Sequence, residues 1–111
     1  MKGYFETLDE LKEFLCDFGY EDTIVLENED YLPAVIGTDS DGRLIYSYDK
    51  MAEFLMERDK MSYEEACEWI DYNTIRALPY MGPMHPIIIR EFSSLFGELD
   101  DLNIEGKKPL D

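Results

Sequence analysis

The chain has 111 residues, 45% of them hydrophobic and 32% charged, which fits one globular domain able to bury a core without staples. Its 26 acids against 10 Lys and Arg leave a net charge of −16. That argues against direct nucleic-acid binding, which depends on Lys and Arg neutralising phosphates, and against an anionic membrane surface.

The first helix is signposted by Thr7-Leu8-Asp9-Glu10, a capping box in which Thr7 accepts from the Glu10 N–H and Glu10 reaches back. Leu8, Leu11, Leu15 and Phe18 follow at helical spacing with Phe14 beside them, and Gly19 supplies the stop. Thr23–Glu27 is rich in β-branched residues and reads as a short strand, followed by a turn at Asn28-Glu29-Asp30. Ala34–Thr38 and Arg43–Ser47 read as two further strands. Asp39-Ser-Asp-Gly42 joins them as a hairpin, Gly42 being free to take a positive φ.

A second helix runs from Tyr48 to about Lys60, with Met51, Ala52, Phe54 and Leu55 on its apolar face. Ser62-Tyr-Glu-Glu65 is another capping box, with Met61 and Ala66 placed as a hydrophobic staple. The helix it opens runs to about Ala77 and ends before Pro79. Pro79–Pro86 is a connector. Ile87–Phe92 reads as a fourth strand, whose unbroken isoleucines suggest burial on both faces. The expected fold is α+β in the order α-β-β-β-α-α-β: a two-layer sandwich of three helices on a mainly antiparallel four-stranded sheet. Residues 1–96 form the expected domain and 97–111 a loosely ordered acidic and polar tail.

Few residue patterns carry chemistry. Gly37–Gly42 contains Asp-x-Asp-Gly, but a calcium loop in that frame would lack a first carboxylate at Gly37 and a final one at Tyr48. Cys16 and Cys67 sit beside apolar neighbours and read as buried free thiols in a reducing compartment. His85 is the single histidine, without the Cys or His spacing that a metal site needs. No phosphate loop, nucleophile elbow or metalloprotease pattern is present. No catalytic residue, metal or cofactor is therefore expected. There is also no signal segment and no apolar run near the ~18 residues that spanning a membrane takes, so a cytoplasmic location is expected.

The third helix is more specific. On a wheel of about 100° per residue, Asn73 falls with Ile70, Ala66 and Thr74, and so points at the core as a buried tie. Asn73, Arg76, Tyr80 and His85 form a candidate polar site at the end of this helix. Tyr72 and Ile75 fall on the outer side as a candidate contact patch.

The segment Met61-Ser-Tyr-Glu-Glu-Ala-Cys-Glu-Trp-Ile-Asp-Tyr-Asn-Thr-Ile-Arg-Ala-Leu-Pro-Tyr-Met-Gly-Pro-Met-His-Pro-Ile-Ile-Ile89, with the strands before it, resembles a family of small uncharacterised proteins. These occur in Gram-positive gut bacteria and their phages and prophages. The resemblance covers residues 31–91 and implies a shared fold, a bacterial or phage origin and no cofactor. It carries no activity.

Three functions remain. The first is a non-enzymatic protein–protein interaction or regulatory module whose partner is a protein of basic character or a second copy of the chain. The second is a phage-type acidic inhibitor that places carboxylates where a host nucleic-acid-binding defence protein expects phosphates. The weakest is a small-molecule site near Asn73, Arg76, Tyr80 and His85.

Overall fold

A computed structural model describes residues 3–92 of the chain. Helix α1 spans Leu8–Asp17, and Thr7 Oγ1 accepts from the Glu10 N–H at 3.1 Å. Leu8, Leu11 and Leu15 turn inward. The helix closes as a Schellman motif, with Gly19 N–H donating to Cys16 O and Tyr20 N–H to Leu15 O. That geometry needs the left-handed backbone of Gly19 (φ 81°).

The strand expected at Thr23–Glu27 does not form; the segment has no regular secondary structure and belongs to no sheet. Side chains hold it instead of a ladder. Thr23 Oγ1 donates to Gly42 O at 2.6 Å, and the Leu26 N–H donates to the Tyr46 hydroxyl at 3.1 Å. Its β-branched residues satisfy a preference for half-buried surface, which pairing is not the only way to provide. A 3-10 helix over Glu29–Ala34 comes next.

Strands β1 (Val35–Thr38) and β2 (Leu44–Ser47) form the expected antiparallel hairpin, with an irregularity between Val35 and Gly37. Asp39 builds the turn: one carboxylate oxygen accepts from the Asp41 and Arg43 N–H groups, each at 2.9 Å. Gly42 takes φ 88°, and a Cβ there would collide with the Tyr20 ring.

Ser47 ends β2 and caps helix α2 (Tyr48–Asp59), its hydroxyl accepting from the Lys50 N–H. Helix α3 spans Tyr63–Asn73 and opens on the full capping box: Ser62 Oγ accepts from Glu65 N–H, and Glu65 Oε1 accepts from Ser62 N–H. Past Thr74 the chain tightens into a 3-10 helix, Ile75–Met81, that carries Pro79 inside it. So α3 stops earlier than the proline alone predicts.

Strand β3 is three residues, Ile87–Ile89, and lies parallel to β2 with Ile45 opposite Ile87. The sheet is therefore three-stranded and mixed, in the order β1-β2-β3, and not the four-stranded antiparallel sheet expected. Two physical reasons account for this. Two helices intervene between β2 and β3, the long crossover that parallel neighbours require. The run also ends at Ile89 because Asp49 captures the next two residues. Arg90 Nε donates to Asp49 Oδ1 at 3.2 Å and Glu91 N–H to Oδ2 at 3.3 Å. Nor are the isoleucines buried on both faces. Ile87 and Ile88 are half-buried, Ile88 packing on the core, and Ile89 is exposed. The tail over 97–111 lies outside the described residues.

The core gathers Leu11 and Leu15 of α1, Val35 of β1, Leu44 and Tyr46 of β2, Met51 and Leu55 of α2, and Ala66 and Ile70 of α3. Burial pushes the Tyr46 hydroxyl up to about 12, against its bond from Leu26.

Replacing Tyr46 with Phe leaves the Leu26 N–H without its acceptor, and denaturant unfolding should show a loss of about 1–3 kcal/mol. Because the folded-state value lies above the unfolded one, this tyrosine's pH-linked contribution is complete below pH 10 and is lost as pH rises from 10 towards about 12. Unfolding midpoints measured across that window should therefore fall more steeply for the wild type than for Tyr46→Phe.

Candidate interaction face on α3

The capping box fixes where α3 begins, and its apolar periodicity fixes which side turns in. Ala66 and Ile70 are wholly buried, Cys67 is half-buried, and Met61 packs on the core just before the helix. The inner side is also tied by Tyr48, whose hydroxyl donates to Asp71 Oδ1 at 3.1 Å and lies 3.3 Å from Cys67 O. Burial first, then the contacts with Cys67 and Asp71, push the Tyr48 hydroxyl well above the ordinary tyrosine value. Tyr48 therefore stays a neutral donor at physiological pH.

The outer side is unusual in what it exposes. Trp69 is 47% and Tyr72 67% accessible, although a large aromatic ring gains most when buried. The two stand three residues apart, a spacing that makes neighbours on a helix surface. They wall an open recess of about 900 Å³ whose other lining includes Glu65, Glu68, Asp71 and Arg76. Three carboxylates and one guanidinium thus share the lining, with Asp71 also accepting from the Tyr48 hydroxyl and Glu65 from the Ser62 N–H. The Glu65 carboxyl is held below the ordinary range, chiefly by its bond from the Ser62 N–H. The Arg76 guanidinium stacks 4.8 Å from the centre of the Tyr72 ring. The face already binds one cation, its own.

The residues singled out from sequence divide among different environments. Tyr72 is exposed as expected, but Ile75 is half-buried and packs on the core, because the helix has tightened to 3-10 by that point. Asn73 is not a buried tie. It is exposed, and its Nδ2 donates to Trp69 O at 3.1 Å. Thr74, one residue on, takes the inward place and is buried. Asn73 is the last residue of α3 and falls on the Trp69 side of the wheel, whereas the buried arc runs through Ala66, Ile70 and Thr74.

Asn73 and Arg76 line the recess, Tyr80 is 90% exposed, and His85 is engaged elsewhere. Arg43 Nε donates to His85 O at 2.9 Å, Arg43 Nη2 lies 3.1 Å from the His85 ring nitrogens, and Nδ1 lies 2.8 Å from Pro86 O. These partners fit the tautomer in which Nδ1–H donates to Pro86 O and Nε2 accepts from Arg43. The four candidate polar residues therefore do not share one site.

Cys16 is exposed, not buried, and both cysteines are free thiols. Trp69 is the functional candidate that the sequence pattern did not single out. Its i, i+3 spacing with Tyr72 was the available signal.

Among the described residues, no group of three His, Cys, Asp or Glu side chains is arranged to hold a metal ion, and no helix is long and apolar enough to cross a membrane. No family model, curated protein or solved structure matches the chain.

If the outer rings contribute nothing to the core, Trp69→Ala and Tyr72→Ala should each change unfolding free energy by no more than about 0.5 kcal/mol. Ile70→Ala, on the inner side of the same helix, should cost about 2–5 kcal/mol. Parallel urea titrations of the three variants check this.

Proposed function

We propose that the chain acts as a non-catalytic protein-binding module whose α3 face receives basic side chains of a partner protein. The observation that carries this reading is the pair of exposed rings, Trp69 and Tyr72, set among Glu65, Glu68 and Asp71. Interfaces draw disproportionately on Trp and Tyr, which bury large area at small conformational cost. A guanidinium laid over either ring gains a cation–π contact, strongest over Trp, while the carboxylates supply charge-assisted hydrogen bonds. The Arg76–Tyr72 stack has this geometry within the chain itself. The net charge of −16 adds long-range attraction for such a partner. A regulatory role among small bacterial or phage proteins would suit a module of this kind.

A single-faced carboxylate array would favour the nucleic-acid mimic instead. Exposed acids occur on all three helices, for example Asp9, Glu13, Glu53, Glu57, Glu64 and Glu68. That distribution favours a local aromatic and acidic contact over a phosphate-like track.

Trp69 is the sole tryptophan of the chain, so its emission reports on this face alone. Titration with a short oligo-arginine peptide should change that emission saturably, oligo-lysine should bind more weakly, and rising salt should weaken both. Tyr72→Ala and Glu68→Lys should each weaken binding by about tenfold, the scale of one lost cation–π or charge contact. Glu13→Lys, the same charge change on α1, should leave it nearly unaltered. Equal loss from Glu13→Lys would mean diffuse attraction and would overturn the reading.

A further inference from the structure

The opposite end of the sheet carries a second unspent surface. Strand β1 pairs with β2 alone among the described residues, so its other edge offers unpaired backbone groups. Between α1 and the hairpin lies an apolar groove of about 340 Å³, lined by Phe5, Leu11, Phe14, Ile36, Gly37 and Leu44 among others, so that β1 forms part of its wall. This is within the size range of ligand sites. Phe5 and Phe14 of its wall are in ring contact at 5.3 Å, and Phe14 also meets Phe18 at 4.7 Å. Phe14 and Phe18 remain exposed, although the first helix's own apolar spacing would bury them.

Gly37 opens the groove to the strand. A Cβ built there would meet nothing within 4 Å, so the backbone can be approached closely. At the other end, Tyr4 and Phe5 also wall an adjoining recess lined by Glu6, Glu10 and Glu29, with no basic side chain.

We infer that this groove receives an extended segment of a partner protein. The segment adds as a strand to the free edge of β1, sets an apolar side chain against Phe14 and Gly37, and places a lysine or arginine in the acidic recess. The pairing supplies backbone hydrogen bonds, the groove supplies apolar burial, and the carboxylates select the charge. Residues on one face of a strand recur at every second position, so the apolar and the basic side chain, both turned towards α1, stand an even number of positions apart. The α3 face takes no part, so binding at either surface is independent of binding at the other.

The probe is a fluorescent peptide of alternating valine and threonine with a single lysine two positions beyond the last valine, so that the valines and the lysine share a face, titrated onto the full chain by anisotropy. It should bind saturably, and a copy N-methylated at alternate amides should bind about tenfold more weakly through loss of two or so ladder bonds. Gly37→Leu, which fills the groove where space is open, should reduce binding comparably while leaving the unfolding midpoint unchanged. Glu10→Gln with Glu29→Gln should reduce preference for lysine over glutamine in the peptide. Tyr72→Ala should have no effect.

A benzophenone amino acid replacing Phe14 then identifies the occupant by photo-crosslinking, and the expected product joins chain to peptide. Equal affinity for the methylated peptide, indifference to Gly37→Leu, or absence of saturable binding would overturn the proposal. Crosslinks made mainly to a second copy of the chain, or to its own residues 93–111, would overturn it as well.

Discussion

Four residues of β2, Leu44–Ser47, hold the structure together through several different physical contacts. β1 pairs with them antiparallel and β3 parallel, so the strand has no free edge. The Tyr46 hydroxyl accepts from the Leu26 backbone and thereby fixes a segment that forms no strand of its own. Ser47 is wholly buried, ends the strand and caps α2 with its hydroxyl. A central strand satisfied on both edges can be buried without orphaned backbone groups, and that permits the core to close around it.

The first turn of α2 extends this anchoring to the rest of the fold. Asp49 accepts from Arg90 and from the Glu91 N–H just after β3. The Arg90 guanidinium also lies over the Tyr48 ring at 5.0 Å and donates to the Tyr63 hydroxyl. Tyr48 in turn reaches Asp71 and Cys67 on α3. A nearly buried carboxylate at a helix N-terminus is favoured by the helix dipole and by its paired guanidinium. Because these contacts fix the inner side of α3, its outer side is under no structural demand. Exposed aromatics there are a cost to solubility that the fold does not require, which is why they carry the functional reading. The outer β1 edge is likewise left unused among the described residues.

The sequence was most legible where the determinants are local. Thr7, Ser62 and Gly19 mark helix ends through bonds within a few residues, and Asp39 and Gly42 mark the hairpin in the same way. Ser62, Gly19, Asp39 and Gly42 do so as expected, whereas at Thr7 only the bond from the Glu10 N–H forms and the expected return bond to the Glu10 carboxylate does not. The sheet was less legible, because the partner of Ile87–Ile89 is chosen by a crossover of two helices, and the strand's end by Asp49, 42 residues from the Glu91 N–H it accepts from. Thr23–Glu27 has the composition of a strand, yet a tyrosine hydroxyl takes the place of a neighbour. The candidate polar site failed for a related reason. Asn73 sits where regular helical geometry ends, and His85 answers to Arg43, a residue from the hairpin that nothing in the local pattern links to it. Trp69 was visible in sequence, but its exposure was not, since exposure depends on which neighbours fail to cover it.

At the centre of the account, β2 is the closed middle of the sheet, while among the described residues nothing pairs with the outer edge of β1. Native-state amide hydrogen exchange on the full chain tests this directly, because opening free energies differ between core and periphery. The backbone amides of β2 and the first turns of α2 should be the slowest to exchange and should share one opening free energy, close to that of global unfolding. The β1 amides that do not pair with β2 should exchange much faster. Protection in β2 that falls well below that of α3, or uniform protection across both edges of β1, would contradict the account.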